Sequence, residues 1–152
     1  MDGLILSTGL ATVLAHLSLG GGLFEYRVLD PAWPANPALI QPRSGGVDRK
    51  HFWIPVHLAF ELALIAALFV AWREPSVRAW LLVALVSHAA LRVWSAVDFI
   101  PKALAFERAD GAISISDARR WTRRSLTRLP LAVLTSMATL AAFGTACGVR
   151  GP

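Results

Sequence analysis

The chain has 152 residues, 55% of them hydrophobic and only 16% charged, with a mean hydropathy of +0.53. A soluble domain carries roughly 25% charged residues, so this composition excludes an ordinary water-soluble globule and leaves room for one domain only. Fifteen Lys and Arg against ten Asp and Glu make the chain basic, and anionic lipid headgroups account for that more simply than nucleic acid does.

The apolar residues fall in four runs, at residues 4–24, 52–72, 79–98 and 128–146. Each approaches the roughly 20 residues a helix needs to cross about 30 Å of hydrocarbon. Backbone polar groups in lipid must be satisfied within the segment, so the runs predict helices. The expected fold is all-α, an antiparallel bundle of four transmembrane helices forming a single membrane domain. The first run follows Met1-Asp2-Gly3 with no basic residue ahead of it, and it exceeds the length of a signal-peptide core. It therefore reads as a retained helix.

Between runs one and two lies a proline-rich loop with Pro31, Pro34, Pro37 and Pro42, closing on Gly45-Gly46. Arg73 to Arg78 forms a tight hairpin, with Pro75 expected to stop the second helix. Asp98 to Arg128 reads as a charged connector. Within it, Ser114-Ile115-Ser116-Asp117 offers a helix N-cap for a short amphipathic surface helix at about 115–125 that carries Arg119, Arg120, Arg123 and Arg124 beside Trp121. From Leu129 to Ala146 the last run carries no charge, and the one cysteine, Cys147, excludes an internal disulfide and a cysteine metal cage.

Lys and Arg distribution predicts orientation. Eleven of these residues lie in loops one and three, against Arg73, Arg78 and Arg150 on the other side. Loops one and three are accordingly expected in the cytoplasm and both termini outside, in a multi-pass protein of the cell membrane.

Ionisable residues inside the bilayer are costly and mark function. His16, His57, Glu61, His88 and Arg92 fall within the runs, with Glu25 and Asp98 at helix ends. Glu61 lies 14 residues before Pro75 and His88 lies 13 after it, so the two are level across an antiparallel hairpin. His16 and Glu61 are also level, counted from the first-loop side. His57 is one helical turn from Glu61, and Arg92 one turn from His88. His16, His57, Glu61 and His88 are therefore expected to meet at one depth as a polar cluster. Such a donor set suits a transition metal, iron or copper first and zinc or manganese next. Without a metal, Glu61 or His57 is the expected general base and Arg92 the cation that stabilises an anionic intermediate. Interhelical hydrogen bonding alone is the competing reading of the same residues. Trp94, Phe99 and Glu25 are expected to contact a hydrophobic small-molecule substrate. Trp33, Trp53, Trp72 and Trp80 are expected at the membrane interfaces.

Three stretches carry a family resemblance: Gly21-Gly22-Leu23-Phe24-Glu25 with Pro31-Ala32-Trp33, then Asp98-Phe99-Ile100-Pro101, then Arg119-Arg120-Trp121 through Arg128-Leu129-Pro130. Together they resemble the anthrone oxygenase-like family of small four-helix membrane proteins, whose Trp and Arg ahead of the last helix correspond to Trp121 and Arg128. The resemblance implies oxygenation of an aromatic polyketide, an anthrone becoming an anthraquinone. It fixes no metal, so a cofactor-free oxygenase is among the expectations. The alternatives are a haem-binding cytochrome subunit, with His16 and His88 as level axial ligands, and a non-enzymatic carrier or assembly subunit. A carrier with only four helices would need to form a homo-oligomer.

Overall fold

The computed structural model describes residues 3–109 and 113–148; Arg150, counted above for orientation, lies outside them. The described residues contain four long helices and no strand: α1 (Gly3–Ala32), α2 (Lys50–Val70), α3 (Pro75–Arg108) and α4 (Ile115–Gly148). All four are long and apolar enough to cross a membrane, and the fold is an all-α four-helix bundle of the multi-pass membrane type.

Three of the four helices run well past the apolar stretches that announce them. α3 has 34 residues, about 50 Å at 1.5 Å per residue, against about 30 Å of hydrocarbon. The expected loop after Asp98 is therefore helix as far as Arg108. The expected surface helix does form, over Ile115–Ser125, with Ser114 Oγ accepting from the Asp117 backbone N–H at 3.3 Å. It is not separate, because a 3-10 turn at Leu126–Arg128 joins it to the last span. Pro75 does not stop α2. It opens α3, where a missing N–H costs nothing.

Regular α geometry breaks at one level of the bundle. α1 changes to a π-turn at Glu25–Leu29, α3 does so at Ser95–Phe99, and α4 has its 3-10 turn at Leu126–Arg128. π-turns insert one extra residue and re-aim side chains, and they concentrate at functional sites.

α1 packs extensively on α2 and on α4, and α4 packs on α3. α2 and α3, although joined by a hairpin, touch only sparsely. The order around the bundle is thus α2, α1, α4, α3, with an open seam between α3 and α2. Small residues explain the close contacts: Ala11, Ala15, Ala63, Ala67, Ala138, Ala142 and Ala146 fill the core between the helices. Apolar burial gains little against lipid, so small side chains and interhelical hydrogen bonds hold such bundles. Thr12 Oγ1 donates to the Thr139 carbonyl at 2.9 Å, Ser136 Oγ donates to the Ala15 carbonyl at 3.3 Å, and Ser87 and Thr135 share a bond of 2.8 Å. Large apolar side chains such as Phe69, Val86 and Val97 point outward.

A second core caps the bundle at the loop end. Trp33, Ile40, Phe99, Ala118 and Trp121 pack together, drawing loop one onto the extended parts of α3 and α4. Gln41 Nε2 reaches the Phe106 and Ala109 carbonyls at 3.2 and 3.1 Å. Gly46 lies so close to the loop that a Cβ there would sit 2.1 Å from the Ala38 carbonyl oxygen. Of the four tryptophans expected at interfaces, Trp72 and Trp80 are exposed, whereas Trp33 is fully buried in this cap. Its indole N–H donates to Asp30 Oδ1 at 3.0 Å, so a partner inside the protein takes the role of interfacial water. Trp53 is likewise turned inward, toward Glu25.

Candidate functional site

The polar residues of α2 and α3 meet across the open seam. Glu61 Oε1 accepts from Arg92 Nε at 3.1 Å and lies 3.3 Å from His88 Nε2. The Glu61 and Arg92 side chains are each 38% exposed, whereas His88 is buried. The His57 and His88 ring centres are 5.8 Å apart, and the edge of Phe60 packs on His88 at 4.8 Å. His57 stacks on Trp53 at 5.2 Å, and Trp53 Nε1 donates to Glu25 Oε1 at 2.8 Å. A continuous chain of contacts thus runs Glu25, Trp53, His57, His88, Glu61, Arg92.

Beside this chain, toward the capped end, all four helices wall a cavity of about 380 Å³. Gly22, Glu25 and Tyr26 come from α1, and Trp53, Ile54 and His57 from α2. α3 contributes Arg92, Ser95 and Phe99, and α4 contributes Trp121 and Arg128. The irregular turns are what bring Glu25, Tyr26, Ser95, Phe99 and Arg128 to this wall. Ile54 and Ile100 line the cavity and are also exposed on the bundle surface, which places its mouth on the seam between α2 and α3.

The buried polar atoms that lack a partner among the described residues are His57 Nδ1, Glu107 Oε2 and Arg128 Nε. All three residues line this cavity. Burying a polar atom without a hydrogen bond is costly, and such atoms demand an explanation. Glu107 is already held by Arg49 at 2.8 Å and faces Lys50 at 3.7 Å. His57 Nδ1 and Arg128 Nε have no such account within the protein.

The expected four-residue cluster is assembled only in part. Glu61 and His88 meet directly and His57 adjoins His88. His16 is elsewhere: its Nδ1 is 2.8 Å from the Thr12 carbonyl oxygen of its own helix, and its ring lines a second cavity of about 490 Å³ with Gly20, Gly21, Phe24 and Phe52. Counting residues gives depth, but the azimuth around α1 turns His16 away. Among the described residues, no three His, Cys, Asp or Glu side chains are placed to hold one metal ion. Glu61 is committed instead to a guanidinium and an imidazole. His16 lines the second cavity and His88 lines neither.

Of the expected substrate contacts, Phe99 and Glu25 line the main cavity. Trp94 lines neither cavity; it is partly exposed and meets Phe99 edge-on at 5.8 Å. Tyr26, Trp53 and the Arg49–Glu107 pair are wall residues that sequence reasoning passed over. Arg128 was marked only through the family resemblance. Comparisons with protein-family models, curated proteins and solved structures find no match to the chain.

Proposed function

We propose that the chain is a membrane-embedded oxygenase that enolises a lipophilic aromatic ketone in the cavity between its helices and exposes the enolate to dioxygen. The supporting observation is the buried, unpartnered Nδ1 of His57 in an aromatic-walled cavity that also carries three guanidinium groups. Such a cavity suits an apolar planar molecule that arrives by partitioning into the bilayer and enters along the α2–α3 seam.

In this reading His57 Nδ1 removes a proton from the ring CH2 that lies across the central ring from the carbonyl and is conjugated to it through the flanking aromatic rings. The electron pair moves onto the carbonyl oxygen, and the Arg92 guanidinium stabilises the enolate; preorganised charge is most effective where water is excluded. Trp53, anchored by Glu25, fixes the plane of the imidazole. Dioxygen then adds at the deprotonated carbon, and the proton returned by His57 completes a hydroperoxide. Loss of water from the hydroperoxide leaves a new carbonyl, so CH2 and O2 become C=O and H2O. No external reductant is required. The excess of Lys and Arg in loops one and three supports placing the capped end of the cavity in the cytoplasm.

Oxygen uptake by the detergent-purified protein with anthrone as substrate tests this reading. Wild type should exceed the buffer autoxidation rate, and His57→Ala should fall by about 100-fold or more, the range of a lost general base. Wild-type turnover at the autoxidation rate would sink the proposal.

A further inference from the structure

Four cationic side chains line the main cavity: Arg49, Lys50, Arg92 and Arg128. Arg49 and Lys50 share Glu107, and Arg92 is paired with Glu61. Among the described residues, Arg128 has no carboxylate within ion-pairing distance. Its partners are neutral: Nη1 donates to Ser95 Oγ at 2.8 Å, Nη2 donates to Ser125 Oγ at 3.3 Å, and the guanidinium lies over the Phe99 ring at 4.1 Å.

The nearby acids do not touch it. Glu25 accepts from Trp53 and Asp30 from Trp33, while Asp98 pairs with Arg124 and Lys102. A guanidinium in a membrane bundle with no anion in direct contact is expensive; Glu25 and Asp30 act on this one only from beyond ion-pairing distance, and it keeps an unused Nε–H. Ser95 and Ser125 hold its Nη groups, and Phe99 supports its face. The planar fork of Nε and Nη2 is the edge of an arginine that takes a carboxylate with two parallel bonds.

We propose that Arg128 is the anion-binding residue of the cavity and that the molecule taken there is a lipophilic aromatic acid, its carboxylate on Arg128 and its ring system among Phe99, Trp53 and Trp121. This deepens the oxygenase reading, and rests on it for the identity of the site, by assigning the substrate an acidic group apart from the carbon that reacts. Arg128 is a binding residue; His57 and Arg92 serve the reacting atoms.

The test uses full-length protein in phosphatidylcholine nanodiscs with anthracene-9-carboxylic acid as a fluorescent probe and its methyl ester as the neutral control. Wild type should bind the acid about tenfold or more tightly than the ester, as expected for one charge-assisted bidentate contact. Arg128→Gln should abolish the preference and Arg128→Lys should retain part of it. Equal affinity for acid and ester in wild type would overturn the proposal, and that result does not depend on whether either variant folds. Displacement of the probe by phosphatidylglycerol added to the nanodiscs would also overturn it, making a phospholipid phosphate the anion. Oxygen uptake separates the two readings: a wild type that consumes oxygen with anthrone but ignores the carboxylate loses only the anion site. One that prefers the acid yet never consumes oxygen loses the oxygenase reading, and the anion site stands as a property of the cavity alone.

Discussion

Glu61 and Arg92 form the principal polar bridge across a seam where α2 and α3 otherwise barely touch. Interhelical polar contacts in membrane bundles average about 0.6 kcal/mol and reach roughly 1.7 kcal/mol. A double-mutant cycle of Glu61→Gln and Arg92→Gln, followed by unfolding in mixed micelles, should give a coupling of about 1 kcal/mol. A coupling indistinguishable from zero would show that the pair does not hold the seam. The residue level is also where sequence reading succeeded and failed most instructively. Glu61, His88 and Arg92 were legible because hairpin geometry makes depth a matter of counting. His16 was equally well placed in depth, but no residue count says which way a helix faces when its neighbours are unknown. The Arg49–Glu107 pair was invisible for another reason. Its partners are separated by 58 residues, and neither lies in an apolar run where a charge attracts notice.

The helices themselves are held by small side chains, so bulk at their contacts should be poorly tolerated. Ala142 is completely buried among α4's neighbours. Ala142→Leu should cost about 1–3 kcal/mol, the range for an overpacked core, with a matching loss in unfolding midpoint. Unchanged stability would mean that the contact is looser than described. In the cap, Gly46→Ala should push the loop away from Ala38 and loosen the cover over the cavity. The expected readout is weaker probe binding with the four-span helical content intact, measured by fluorescence titration beside circular dichroism. The spans themselves were legible because lipid demands long uninterrupted apolar runs. Their true ends were not. Beyond the hydrocarbon, helix formation is governed by packing against the cap, and the sequence there turns polar without ceasing to be helical. The π-turns left no composition signal at all.

For the whole molecule, the order α2, α1, α4, α3 makes the bundle an incomplete ring, and its single sparse contact leads to the cavity mouth. Topology can be measured directly. Cys147 is exposed and is the chain's sole cysteine, so a membrane-impermeant maleimide reports the side on which α4 ends. Labelling of Cys147 in intact cells, together with protection of Ser44→Cys in a Cys147→Ser background, is the expected pattern. The reverse pattern would place loop one and the cap outside.

The two π-turns have an evolutionary consequence. Each holds one residue more than a plain α-helix would use, and one residue corresponds to about 100° of rotation. Val97, which points outward from the second of these turns, is therefore worth more as a spacer than as a side chain. A descendant that lost it would still read as a four-span protein by any hydropathy measure. The part of α3 beyond it would stay in register, with Glu107 still facing Arg49, but Ser95 and Phe99 would lose the aim that the wider turn gives them at the cavity wall. Single-residue indels at these two places, rather than substitutions in the wall, are where this scaffold would be expected to gain or lose a binding site among its relatives.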